Sequence, residues 1–278
     1  LGAYLQNGLK FEPSQMSFIL SSMAIGAMAS AFIGSIADRY FSGEKILSVL
    51  NLLTAVFLVF AAQQTAFAPL MGCVVGAMLC HMPTQSLTST IAMHHTPAEQ
   101  FPRIRLFGSI GWVASGVFSL VAFRVLNLSA FDDTNLPMYC GAAVCVVAAI
   151  VDLTLPSTPP SSSKKSPSFM DITGFSVFPL IMKDRNYRTF MILTFLSIIP
   201  FTLYHVYGSV ILAEVNVQYI TVTLNLGQFA EMFFLVITTS ILLRSGIKKT
   251  LIFGLIALTI RYAAFYLGAE TNMQAFYY

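Results

Sequence analysis

Long apolar runs, each broken by a short polar or basic turn, fill almost the whole chain. Runs of roughly 17 to 25 residues are long enough, as helices, to cross a hydrocarbon core about 30 Å thick. The pattern predicts complete membrane-spanning helices over 15–36, 46–65, 67–92, 104–126, 136–155, 188–212, 218–243 and 250–268. Residues 1–9 read as the tail of an earlier span and 271–278 as the start of a later one, so a piece of a longer protein is expected. Residues 156–168 (PSTPPSSSKKSPS) form the single low-complexity stretch and read as a solvated linker. Six spans precede it, counting the cut first one, and three with the start of a tenth follow.

Composition agrees with the pattern. The chain is 56% hydrophobic and 10% charged, against about 25% charged residues in a soluble domain. An all-α membrane protein is the fold class these numbers allow. A cleavable leader, with a basic start and a small-residue cleavage site, is not evident. The placement of charge says more than its total of +3. Arg39, Lys45, Arg103, Lys164, Lys165, Lys183, Arg185, Arg188, Arg244, Lys248 and Lys249 fall in one set of alternate loops. The other set holds Lys10 together with Glu12, Asp132, Asp133, Glu214 and Glu270. By the positive-inside rule the basic loops of this multi-pass protein are cytoplasmic, and the cytoplasmic (inner) membrane is its expected location. Topology explains the basic residues without a nucleic-acid partner. Cys73, Cys80, Cys140 and Cys145 lie inside apolar spans and read as small packing residues, with no disulfide and no metal site.

A few polar residues stand out against this background. Glu231 lies within the apolar run 219–243, where a charge at the centre of a membrane helix costs roughly 2.5–3.5 kcal/mol. Gln228, three residues earlier, shares its face. Arg105, Ser109 and Trp112 are spaced i, i+4, i+7, so a guanidinium, a hydroxyl and the chain's one tryptophan share a face of the fifth span. Such a set suits a polar ligand that contains a ring; the alternative is that Arg105 reaches the interface and Trp112 faces lipid. Thr202 and His205 share a face just after Pro200, and His205 could bind ligand, relay protons or pack. Thr84 and Thr88 read as bonds between helices more than as a cavity lining, and Arg261 as an inter-helix ion pair. Ser22, Gly26, Ser30 and Gly34 form a small-residue ridge for close helix packing. The chain shows no glycine-rich phosphate loop, metal-ligand spacing or nucleophile elbow, so an enzyme is not expected.

Two bundles of helices joined by a cytoplasmic linker resemble the parallel-repeat layout of the major facilitator superfamily. The stretch 34–45 (GSIADRYFSGEK) resembles that superfamily's gating-loop signature through Gly34, Asp38 and Arg39. The segment FPRIRLFGSIGW resembles more closely the fifth-helix motif of the nucleoside:proton symporter family, approximately FPPIRxWGTIGF. GQFAEMFF, LLRSGIKK, RYAAFYLG and the MPT of the fourth span resemble the same family in order and spacing. The resemblance implies two six-helix bundles related by pseudo-two-fold symmetry, truncated here to an N-terminal bundle over 1–155, a linker over 156–187 and a C-terminal bundle over 188–278. It implies proton-coupled import of nucleosides by alternating access, by a monomer in the lipid bilayer, with no cofactor and the proton gradient as energy source. Arg105, Ser109, Trp112, Thr202, His205, Gln228 and Glu231 would bind substrate, and Glu231 would also carry the proton. Ser109 stands where the family motif has Thr and Trp112 where it has Phe; Thr202 and His205 depart further. Symport of a sugar, or a receptor that does not transport, are the alternatives.

Overall fold

The computed structural model describes residues 1–97, 101–125, 131–159, 178–214 and 220–271, and every regular element among them is helical. A short π-helix, Tyr4–Gly8, comes first. Then follow α1 (Pro13–Tyr40), α2 (Gly43–Ala62), α3 (Phe67–His95), α4 (Phe101–Arg124), a 3-10 turn (Phe131–Asp133) and α5 (Leu136–Asp152). The rest is α6 (Phe178–Lys183), α7 (Arg185–Glu214) and α8 (Ile220–Thr271). Among the described residues, four stretches are long and apolar enough to cross a membrane: Pro13–Gly34, Gly43–Ala62, Phe67–His95 and Ile104–Arg124.

Local chemistry sets the boundaries. Proline opens α1 and falls in the first turn of α5, where a missing N–H leaves nothing unpaired. Ser42, extended at φ −70 and ψ 136, precedes α2, and Glu44 in the first turn suits the positive end of the helix dipole. His94 and His95 close α3 at its negative end. Inside α8, Gly246 takes φ 75 and ψ 164, a conformation only glycine adopts at ease, and breaks the run into the two helices the sequence predicts. The stretch read as a gating loop is helical for most of its length: residues 34–40 are the last turns of α1, and the turn itself is confined to Phe41 and Ser42. Asp38 and Arg39 look like loop residues only because they are polar at a helix end.

Packing divides the chain into two compact units, Leu1–Pro97 with Asp132–Leu196, and Ala98–Phe131 with Ser197–Tyr278. These units cut across the division at the linker, because α4 packs against α8.

In the first unit α1 lies on α3, and α2 packs between α3 and α5. Close packing must hold helices together where lipid removes the hydrophobic drive between them. The sequence supplies it through small residues. Gly26 of α1 sits directly against the Met78 carbonyl of α3, and Gly76 of α3 receives the Phe57 ring of α2. Leu47, Leu50, Leu87 and Ile91 form a buried cluster, with Ile33, Ile46, Cys80 and Leu155 packed on it. Asn51 donates to Asp152 at 2.6 Å and Ser48 to the Ala149 carbonyl at 2.7 Å, joining α2 to α5. In a bilayer each such bond contributes about 1 kcal/mol.

The beginning of the expected solvated linker is held in place. Ser157 Oγ and the Thr158 amide donate to the two Glu44 carboxylate oxygens at 3.1 and 3.0 Å, and the Gly43 amide donates to the Thr158 carbonyl at 3.0 Å. His95 Nε2 lies 3.0 Å from Thr158 Oγ1. The reason is that the first amides of a helix need acceptors, and at α2 the extended segment 157–158 supplies one. Residues 160–177 of the linker lie outside the described residues; α6 and the first turn of α7 occupy its end.

In the second unit α4 and α8 pack together. The buried positions of α4 are the small Ser109, Gly116 and Ala122, which permit close approach. Leu212 of α7 is fully buried. The Tyr262 hydroxyl donates to the Pro200 carbonyl, tying the second half of α8 to α7.

Candidate substrate site

All seven predicted substrate-binding positions fall in the second unit. Arg105, Ser109 and Trp112 lie on α4, Thr202 and His205 on α7, and Gln228 and Glu231 on α8. The side chains of His205 and Gln228 lie outside the described residues, as do those of Asp38 and Arg39 of the predicted gate. Gly34 of that gate is half-buried, with open space where a Cβ would stand.

On α4 the three predicted residues separate by depth. Ser109 is buried at 8% exposure, whereas Trp112 is 56% exposed and Arg105 is exposed. A shared face thus carries a recessed hydroxyl between two large side chains that project from it. Ser115 Oγ donates to the Trp112 carbonyl at 2.6 Å, a bond within α4. Thr202 is exposed on α7, two residues beyond Pro200.

Glu231 lies on the first half of α8. It is exposed, as are Phe229 and Phe233, two residues before and after it on other faces of α8. Neither Glu231 nor Arg105 forms a hydrogen bond or ion pair with a described residue, so both charged heads are free to engage a ligand. A guanidinium offers five donors, a carboxylate accepts or carries a proton, and an indole offers a ring face and one donor. That set can grip a solute with several hydroxyls and a flat ring.

The structure also corrects the reading of the fourth span. Thr84 Oγ1 donates to the His81 carbonyl at 2.6 Å and Thr88 Oγ1 to the Thr84 carbonyl at 2.7 Å, so these hydroxyls bond within α3 and not to other helices. Sequence reasoning passed over three polar features: the Asn51–Asp152 pair, the Glu44 contact with 157–158, and His81. The last had a visible signal, a histidine at the centre of an apolar run.

The chain is similar to several known proteins. The family described as "Nucleoside H+ symporter" matches residues 1–277. The putative nucleoside transporter YegT of Escherichia coli (strain K12) is 35% identical over 265 residues, 93% of this chain. The chain spans 61% of that relative's length. Nucleoside permease NupG of the same organism is 26% identical over 288 residues, covering 98% of this chain and 67% of the permease. Xanthosine permease, also of that strain, is 25% identical, covering 96% of this chain and 66% of that one. A crystal structure of the nucleoside transporter NupG superposes with a TM-score of 0.77 at 25% identity, over 95% of this chain and 68% of the other.

Proposed function

The chain belongs to the nucleoside H+ symporter family, and from that premise we propose that the protein imports nucleosides together with protons across the cytoplasmic membrane. The observation that carries this reading is the collection of all seven candidate positions, from Arg105 to Glu231, on three helices of one compact unit.

The chemistry of those side chains supports it. A nucleoside presents ribose hydroxyls and a flat, polar base. Arg105 donates to ring or hydroxyl acceptors, Ser109 lies recessed for a close hydrogen bond, and Trp112 supplies a face for the base to stack on. Thr202 adds a hydroxyl from α7. Glu231 accepts from a ribose hydroxyl when ionised and carries the proton when neutral. An unpaired carboxylate is costly to move through a bilayer, so protonation and substrate binding together lower the barrier to the change of access. The protein works as a monomer on this reading, because one chain of the family fold contains every group named.

Competition for uptake tests the substrate class. The full-length protein in proteoliposomes should take up labelled uridine, and excess unlabelled nucleosides should suppress that uptake while sugars leave it unchanged. Suppression by sugars with no effect of nucleosides overturns the proposal in favour of a sugar symporter. Saturable binding with no flux overturns it in favour of a receptor.

A further inference from the structure

His81 stands at the middle of α3, fourteen residues from Phe67 and fourteen from His95. At 1.5 Å per residue it is about 21 Å from either end, at the depth of the bilayer midplane. The buried positions of α3 include Leu70, Val74, Ala77, Thr84, Leu87 and Ile91. His81 fills the step of four and three between Ala77 and Thr84, so it belongs to the packed side of the helix. The side chain as a whole is half-buried, while its Nδ1 is buried and bonded to no described residue.

Three hydroxyls on α3 and on the helices beside it are committed elsewhere. Thr84 donates to the His81 carbonyl, Thr54 of α2 to the Leu50 carbonyl and Ser30 of α1 to the Ala27 carbonyl. Ionisable groups are also distant along the chain. The stretches 22–30 of α1 and 51–58 of α2 carry none. On α2, Glu44 is engaged by Ser157 and Thr158; on α5, Asp152 is engaged by Asn51. Asp38 and Arg39 lie at the cytoplasmic end of α1, His94 and His95 at that of α3, and Cys80 is the one thiol beside the imidazole in sequence.

A buried ring nitrogen with no partner is destabilising, and a packing role at this position could be filled by an apolar side chain without that penalty. An imidazole is also the side chain whose charge changes most readily near neutral pH. A proton added in this packing would make an unpaired cation at the midplane, which the membrane opposes. Proton binding at His81 therefore favours a different arrangement, one in which the seam around α3 admits water or a carboxylate. A proton affinity that differs between two conformations is what coupling requires. We propose that His81 is a proton-binding site of the transport cycle, neutral in this packing and protonated in the alternative one. This inference rests on the proton-symport reading and adds a second site to Glu231.

The test uses the full-length protein in proteoliposomes, with His81→Gln, which keeps a hydrogen-bonding side chain but cannot titrate. A pH gradient of one unit supports about tenfold accumulation per coupled proton. The parent should reach that ratio for labelled uridine, whereas H81Q should fall to near equality while still exchanging internal for external uridine at the parent rate. Parent-like accumulation by H81Q overturns the proposal. Should H81Q fail to fold, the parent labelled with 15N-histidine answers directly: one imidazole, identified by its absence in His81→Phe or by elimination of the other histidines, should titrate between pH 5 and 8. An imidazole that stays neutral through that range overturns the proposal. If the parent itself never accumulates uridine, the symport reading fails as well, and the titration shows whether His81 binds a proton regardless.

Discussion

Replacing Gly26 by Ala should loosen the α1–α3 contact while changing nothing chemical. An added Cβ there would meet the Met78 carbonyl oxygen, lie 2.7 Å from the Met78 carbonyl carbon, and lie 2.9 Å from Met82 Cγ. The first two are backbone atoms of α3 and cannot rotate away, so the helices must separate by several tenths of an ångström. Overpacking of this kind costs about 1–3 kcal/mol. Alanine's helix propensity returns up to about 1 kcal/mol of that. The net loss of about 1–2 kcal/mol corresponds to a melting point lower by roughly 2–8 °C for a chain of this size. Gly72→Ala on α3 is the matched control, since nothing stands within 4 Å of its added Cβ, and it should be neutral or slightly stabilising. Thermal unfolding in detergent, followed by a thiol-reactive dye, reads both variants, because Cys80 packs on the cluster beside this seam. Equal melting of G26A and parent, or a larger loss in G72A, would refute the packing argument.

Other expected outcomes concern polar contacts. Asn51→Ala strips the bond from buried Asp152 and should cost about 1–3 kcal/mol in thermal unfolding, whereas Asp152→Asn keeps an acceptor and should cost less than about 1 kcal/mol. Glu44→Ala should release residues 157–158, raising amide exchange at Thr158 about tenfold, and unchanged exchange would show that the carboxylate does not hold this segment. Ser109→Ala should raise KM for uridine about 2–10-fold with the maximal rate retained, as expected for loss of one hydrogen bond made equally in bound states. Glu231→Gln should exchange uridine across the membrane but fail to accumulate it against a gradient, measured in the same vesicles.

What the sequence revealed, and what it hid, follows the range of the interactions. The helices were legible because an apolar run of a given length is a local property, and even the break in α8 could be placed near Gly246. Residues 37–40 were misread as a loop because polar residues at a helix end and polar residues in a turn look alike in one dimension. The attachment of 157–158 to Glu44 spans more than a hundred positions, and no local pattern announces it. At the candidate site, the shared face of Arg105, Ser109 and Trp112 was readable from spacing, yet their different depths depend on α8, which packs on α4 from far along the chain. The exposure of Glu231 and the intrahelical bonds of Thr84 and Thr88 were hidden for the same reason: a side chain's partners are decided by packing.

The central claim is that nucleoside movement is driven by protons, and a single measurement addresses it. The full-length protein is reconstituted in vesicles, labelled uridine is added outside, and an inward proton gradient of one pH unit is imposed and then collapsed with a protonophore. Symport predicts internal uridine rising to about ten times the external level for one coupled proton, then falling to equality when the gradient is collapsed. Uptake that stops at equality with the gradient intact, and does not respond to the protonophore, would contradict it.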